Sequence, residues 1–162
     1  MLHSYLHNRI VECNSIRYSP EKGCPQGSVL GPQIWDIGYD PVLQVLSTLG
    51  HTTCFADDTM VILWAPTLEH LQRKFEALMG IYTKLLTTIA VKLNIHKTEI
   101  LFIPGCLPFK EYPTFTYKCY IIPSQHSIKY LGVMIDNKFT FTPHFKYLYE
   151  KTKKTIVGTG VL

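Results

Sequence analysis

The residues that first invite a chemical reading are Asp57 and Asp58, adjacent in the stretch TTCFADDTMVIL over 52–63. A single Asp is common in a turn because its carboxylate bonds the local backbone. Two in succession repel, and these stand between Phe55–Ala56 and the apolar run Met60–Leu63. Ordinary turn chemistry is one explanation. The other is a divalent cation, since carboxylates carried at the tip of a hairpin bind hard cations through oxygen, and Mg²⁺ then takes substrate phosphates among its remaining ligands. Two such ions about 4 Å apart can activate an attacking hydroxyl and stabilise a leaving pyrophosphate. The pair by itself leaves both readings open.

The flanking sequence says what must position the pair. TTCFA and TMVILWA read as two strands around it, so a hairpin is expected. Upstream, EKGCPQGSVLGP is punctuated by Gly23, Pro25, Gly27, Gly31 and Pro32 and reads as a loop. Ser28 is a candidate cap for the helix that follows. That helix is expected to stop or kink at Pro41, with a second short helix, PVLQVLSTLG, ending at Gly50. NRIVECNSIRYS suggests a strand pair ending at Pro20. Downstream, Leu68, Leu71, Phe75, Leu78, Met79, Tyr82, Leu85 and Leu86 recur at helical spacing. Thr67 is the expected N-cap of that helix, and Glu69 suits the positive end of its dipole. KTEILFI, TFTYKCYII and SIKYLGVMID each read as one strand. TPHFKYLYEKTKKTI starts a last helix with Thr142 as cap and Pro143 at its first position. The order is strand pair, helix, hairpin, long helix, strands, helix. It is an α+β pattern with an antiparallel sheet and packed helices, not a doubly wound one.

Bulk properties bound the rest. The 162 residues suffice for a domain with a core, and 46% hydrophobic with 17% charged residues suits a globular chain. A formal charge of +4 is compatible with a polyanionic partner without requiring one. Five cysteines, at 13, 24, 54, 106 and 119, show no CxxC spacing. They read as reduced thiols of an intracellular protein, in cytoplasm or nucleus, rather than a disulfide frame or zinc site. No apolar run approaches the roughly 18 residues of a membrane span, and MLHSYLHNRI lacks an apolar secretory core.

Four stretches in order, GCPQGSVLGP, FADD, LNIHKTEIL and IKYLGVMID leading into FTFTPHF, together resemble the palm of a reverse transcriptase from a non-LTR (LINE-type) retrotransposon. The resemblance runs from about Asn8 to about Lys154. It implies an RNA-directed DNA polymerase by descent, with Asp57 and Asp58 as catalytic metal ligands for Mg²⁺ or Mn²⁺ once the complete site is assembled. It places Gln26 and Gly27 against template and incoming nucleotide. Ala56, next to Phe55, is small enough for a sugar to pass the carboxylates. Lys97 would meet the departing pyrophosphate, with His96 as a less specific proton source. Tyr130, Leu131 and Gly132 would position the primer, Gly132 leaving room for its backbone. The implied partners are an RNA template, a DNA primer and a dNTP. Residues 1–138 would be a partial palm, and 139–162 the beginning of a thumb-like helix. There Lys146, Lys151, Lys153 and Lys154 either face water or follow a primer–template backbone.

The chain departs from this pattern in one respect that matters for activity. The family's site takes a third carboxylate from a strand upstream of the PQG loop. Here no Asp precedes Asp36, and Glu12 and Glu21 are the earlier acids, neither in such a strand context. Asp36 and Asp40 fall on the helix after the loop. The fingers' basic residues are not found either. The expectation is therefore a palm fragment that is inactive alone. The alternative is a non-catalytic remnant, degenerate or co-opted, that binds RNA or protein. A metal-dependent nuclease would need a further His, Asp or Glu cluster, which the sequence does not offer.

Overall fold

The computed structural model describes residues 2–20, 23, 27–105 and 111–158, which fall into two compact units, 1–62 and 63–162. Among the described residues no helix is long and apolar enough to cross a membrane.

The first unit opens with a short helix, α1 (Leu2–Leu6), that the sequence does not announce. The hairpin β1 (Val11–Cys13) and β2 (Ile16–Tyr18) follows as expected, paired Val11↔Tyr18 to Cys13↔Ile16. Asn14 and Ser15 close it with φ of 48° and 65°, the double left-handed pattern that fits a right-twisted ladder. Helix α2 (Gly31–Leu49) is continuous, so the break expected at Pro41 does not occur. A mid-helix proline costs on the order of 3 kcal/mol through a lost hydrogen bond and a clash. Here Tyr39, Val42 and Leu46 lie on one face across Pro41 and are almost fully buried, and α2 packs along β3 (His51–Phe55). Burying side chains of this size contributes on the order of 1.5–3 kcal/mol each, so packing outweighs the local penalty. Ser28 is not the cap of α2 as expected: the N-cap is Leu30, which makes no side-chain cap bond, and the Ser28 Oγ accepts the Gly31 N–H at 3.1 Å from two residues upstream of that cap. Gly50 ends the helix in extended rather than left-handed geometry, and the chain passes directly into β3 and then β4 (Asp58–Ile62).

The second unit is built on α3 (Leu68–Thr88), whose Thr67 hydroxyl accepts the His70 N–H at 3.3 Å. Phe75, Leu78, Met79 and Leu86 of the expected stripe are buried, while Leu68 is exposed. The sheet order is β5 (Ile100–Leu101), β7 (Tyr120–Gln125), β6 (Thr114–Tyr117). The β6–β7 pair is antiparallel and the β5–β7 pair parallel, so the expected antiparallel sheet is mixed at this edge. Phe75 and Met79 meet Phe102, Phe115, Tyr117 and Ile122 in one core, with Phe75 edge-on to Phe115 at 5.5 Å between centroids. The Gln72 amide bonds the backbone of Thr116 in both directions, at 2.8 and 3.2 Å, and so occupies part of the open edge of β6.

Three strand readings need correction. KTEILFI yields only the two residues of β5, preceded by a 3₁₀ turn over Ile95–Lys97. TFTYKCYII is a hairpin turning at Lys118–Cys119, not one strand. SIKYLGVMID is likewise a hairpin, β8 (Ser127–Tyr130) and β9 (Val133–Asp136), turning at Leu131–Gly132. A two-residue turn shifts the phase of the period-two alternation, placing Phe115 opposite Ile122 and Ile128 opposite Ile135, but strands of four to six residues are too short for patterning alone to reveal the shift.

Beyond β9 the chain is turned toward α4 (Thr142–Gly158) by Asp136, which is buried. Its carboxylate accepts the N–H groups of Lys138, Thr140 and Phe141, at 3.0, 3.1 and 2.6 Å, and the Thr140 hydroxyl at 3.1 Å. These donors hold Phe139 and Phe141 at φ of 54° and 57°, conformations that cost a bulky residue on the order of 1–3 kcal/mol. Burial pushes the Asp136 carboxyl up, but the donors from Thr140, Lys138 and Phe141 more than offset this and hold it below its ordinary value of 3.8. A depressed carboxyl contributes stability that is complete above the unfolded value and is lost as pH falls through the folded one. Asp136→Asn should therefore lower Tm at neutral pH. Its deficit against the parent chain should close as pH falls below 3.8. Melting curves across the acid range check this, and a pH-independent deficit would remove the charge from the explanation.

Candidate catalytic hairpin

The expected hairpin is present, with β3 and β4 antiparallel in the register Phe55↔Asp58, Cys54↔Thr59 and Thr53↔Met60. Ala56 and Asp57 form the two-residue turn, and Asp58 opens the returning strand. Ala56 has φ of 53°, while Asp57 is not left-handed. One positive φ at the first central position is the type II′ pattern, which ordinarily calls for glycine. An alanine there holds strain of about 1–3 kcal/mol.

Two donors converge on this turn. The Trp35 indole N–H donates to the Ala56 carbonyl at 2.9 Å, and the Cys54 thiol lies 3.0 Å from the same oxygen. One helical turn further along α2, Tyr39 stacks on Trp35 at 5.3 Å, and the Tyr39 and Thr59 hydroxyls are 2.7 Å apart. Helix α2 thus reaches both the turn and the strand that leaves it. The sequence reading missed Trp35, Tyr39 and Cys54. The available signal was the pair of aromatics at i and i+4 on the helix directly preceding the acidic strand pair.

Asp57 and Asp58 are both exposed, and among the described residues neither carboxylate has a hydrogen-bond or ion-pair partner. Two exposed carboxylates side by side repel by no more than about 1 kcal/mol in water, so the fold tolerates them without a counter-charge. Their oxygens are free to act as hard-cation ligands. Among the described residues no group of three or more His, Cys, Asp or Glu side chains is arranged to hold a metal ion. As a donor set the pair therefore fits part of a Mg²⁺ or Mn²⁺ site and needs further oxygens to complete one. Asp36 and Asp40 stand exposed on α2, and Asp40 accepts from the Gln44 amide at 2.6 Å.

The other residues singled out in the sequence are distributed over both units. Gln26 lies outside the described residues. Gly27 has φ of 79°, and a Cβ there would meet nothing within 4 Å, so backbone conformation rather than crowding selects glycine. In the second unit Lys97 is exposed at the end of the 3₁₀ turn, which the Asn94 side chain caps by accepting the His96 N–H at 3.2 Å. His96 stands edge-on to Tyr120 at 5.6 Å. Tyr130 is half-buried at the end of β8, while Leu131 and Gly132 form the exposed β8–β9 turn with φ of 47° and 86°. The open space expected beside Gly132 is there, since a Cβ would meet nothing within 4 Å, but at a hairpin tip rather than within a strand.

An α+β chain with an acidic pair at the tip of an antiparallel hairpin, preceded by a Gly/Pro loop and a helix, has the layout of a nucleotidyl-transferring palm. The family model described as "Reverse transcriptase (RNA-dependent DNA polymerase)" matches residues 1–135, and the chain belongs to that family. The curated relatives it matches are named as proteins of retrotransposable or mobile elements. The chain is 31% identical over 130 residues to the "Putative 115 kDa protein in type-1 retrotransposable element R1DM" of Drosophila melanogaster, covering 80% of this chain and 12% of that protein. It is 26% identical over 137 residues to the "Retrovirus-related Pol polyprotein from type-1 retrotransposable element R1" of Bradysia coprophila, covering 84% and 14%. With the "RNA-directed DNA polymerase from mobile element jockey" of Drosophila funebris it shares 23% over 150 residues, covering 89% and 16%. The chain thus spans a small part of the length of these relatives. No solved structure matches it significantly.

The exposure of the pair has a consequence for stability. Asp57→Asn and Asp58→Asn should each change unfolding free energy by no more than about 0.5 kcal/mol, as is usual for surface positions away from caps and cores. Any change should favour the amide, which relieves the repulsion. Denaturant unfolding in chelator-treated buffer is the measurement. A loss of several kcal/mol would mean that the carboxylates have a structural role.

Proposed function

We propose that this chain carries the acidic hairpin of an RNA-directed DNA polymerase and that Asp57 and Asp58 are metal ligands in nucleotidyl transfer. The observation that carries the reading is a pair of exposed carboxylates, unbonded within the described chain, at the tip of a helix-braced hairpin in a member of the reverse transcriptase family. A divalent ion held there, Mg²⁺ or Mn²⁺, supplies charge neutralisation at the phosphates and lowers the pKa of the attacking hydroxyl. The chain's own residues bind and orient. Gln26 and Gly27 sit against template and nucleotide, where a left-handed glycine exposes backbone to close approach. Ala56 leaves room for the nucleotide sugar beside the carboxylates. Lys97 meets the charge of the departing pyrophosphate. Tyr130, Leu131 and Gly132 guide the primer. RNA template, DNA primer and dNTP are the partners of the assembled enzyme.

The division we propose is a partial palm over 1–138 and the beginning of a thumb-like helix over 139–162. The exposed Lys146, Lys151, Lys153 and Lys154 of α4 then lie along a nucleic-acid backbone. Two carboxylates do not complete a two-metal centre, and no Asp precedes Asp36 in these residues. The 162-residue chain is therefore proposed to be inactive by itself.

Primer extension on an RNA template with Mg²⁺ or Mn²⁺ tests both parts. The chain alone should extend no primer. Joined to an upstream segment that supplies a third carboxylate and restores extension, it should lose about 10²- to 10³-fold in single-nucleotide incorporation on Asp57→Asn or Asp58→Asn. Thermal melting should stay unchanged. Extension by the isolated chain, abolished by Asp57→Asn, would overturn the incompleteness. Loss of activity only in step with melting would return the pair to an ordinary turn, leaving a non-catalytic RNA- or protein-binding remnant as the reading.

A further inference from the structure

The turn that presents the two carboxylates is strained, and the strain is opposed from outside the hairpin. We propose that Trp35 is a positioning residue for the acidic pair: its indole N–H, bonded to the Ala56 carbonyl, holds the left-handed turn that sets Asp57 and Asp58 at the hairpin tip. For its metal-binding consequence this rests on the function proposed above. The turn geometry does not.

Three observations converge. Ala56 stands at φ of 53° in a position suited to glycine, so the turn is not secured by its own residue preferences. Its carbonyl receives two donors, the Trp35 indole at 2.9 Å and the Cys54 thiol at 3.0 Å. The indole is the stronger donor, because a thiol S–H is a weak one. Trp35 is itself fixed. It stacks on Tyr39 at 5.3 Å, Tyr39 is buried and bonded to Thr59 at 2.7 Å, and Val42 and Leu46 further along α2 are buried. The brace therefore connects a rooted helix to the one peptide group that precedes both carboxylates. Releasing it lets the peptide between Ala56 and Asp57 relax toward the ordinary right-handed region. That rotation moves Asp57 relative to Asp58 and opens the last rung of the ladder, Phe55↔Asp58.

Trp35→Phe keeps an aromatic ring beside Tyr39 and removes the donor together with part of the ring area, and Ala56→Gly separates the two losses. Ala56→Gly removes the strain, because glycine adopts positive φ without penalty. NMR on the 162-residue chain reads two quantities: amide hydrogen exchange at Asp58, and the Mn²⁺ concentration that broadens the Asp57 and Asp58 amides. In Trp35→Phe, Asp58 exchange should quicken and Mn²⁺ binding weaken, each by roughly 3- to 10-fold, the factor expected for one neutral hydrogen bond. Exchange at Val42 and Leu46 should stay unchanged, which a general loosening of α2 would not allow. Adding Ala56→Gly to Trp35→Phe should restore both quantities. Unchanged Asp58 exchange in Trp35→Phe overturns the proposal. So does a loss that glycine at 56 fails to restore, because Trp35 would then act through packing. If the parent chain shows no Mn²⁺ broadening at 57 and 58, the metal reading fails, and the exchange comparison still decides the role of Trp35.

Discussion

A two-residue loop closes a right-twisted pair of strands only when its backbone turns left-handed at the first or both central positions. That constraint governs every hairpin described in this chain. Asn14–Ser15 meets it with two positive φ values, Leu131–Gly132 does the same, and Ala56 and Lys118 meet it with one each. Glycine occupies only one of these positions, so most of the turns cost energy that must be offset by what surrounds them. At β1–β2 the offset is local, since Asn tolerates the left-handed region. At the acidic hairpin the stronger offset is tertiary, from the Trp35 indole to the carbonyl of the strained residue, beside a weaker local contact from the Cys54 thiol. The continuity of α2 through Pro41 belongs to the same arrangement. A helix broken there would separate Trp35 and Tyr39 from the buried Val42 and Leu46 that anchor them.

The same constraint decides what could be read in the sequence. The long helix α3 was legible because its stripe repeats over several turns and a Thr caps it. The acidic hairpin was legible because two charges interrupt two apolar runs. The β6–β7 and β8–β9 reversals were not. Lys118–Cys119 carries no Gly, Pro or Asn, and at both reversals the phase of the alternation shifts, with Phe115 opposite Ile122 and Ile128 opposite Ile135, inside strands too short to display the shift. Pro41 misled in the opposite sense. Its local penalty is real, but it acts on one backbone hydrogen bond, whereas the burial that holds α2 together draws on residues on both sides of it. The brace on the hairpin was legible only as two aromatics at i and i+4 on the preceding helix, because nothing in the spacing of Trp35 and Ala56, 21 residues apart, requires an indole to meet a carbonyl.

Asp57, Asp58 and Asp136 show how differently one residue type is used within 162 residues. Asp136 is buried and receives donors from three backbone amides and a hydroxyl, which commits its oxygens to the loop before α4. Sequence reading passed over it, since a lone Asp at a strand end is ordinary. Asp57 and Asp58 are exposed and make no such commitments within the described chain. The contrast follows from where each sits. At the end of β9 the chain folds back over Asp136 and brings N–H groups to it. At the acidic turn the reversal occupies only two residues, the ladder uses the backbone groups on one side, and α2 supplies its donor to the carbonyl of Ala56 rather than to either carboxylate.

That division of labour separates the stability of the hairpin from the availability of its charges. Had Trp35 or Thr59 bonded a carboxylate directly, the turn would be held just as well, but the oxygens would be partly spent and a cation would have to displace a protein donor. A bond to the peptide carbonyl holds the same geometry and leaves the full lone-pair capacity of both side chains open. The repulsion that remains between them is small in water and grows as water is excluded, so it becomes costly under the condition in which a bound cation would relieve it. A hairpin built this way is stable enough to form with its carboxylates unpaired, and a positively charged ligand would stabilise it most where water is excluded from the tip.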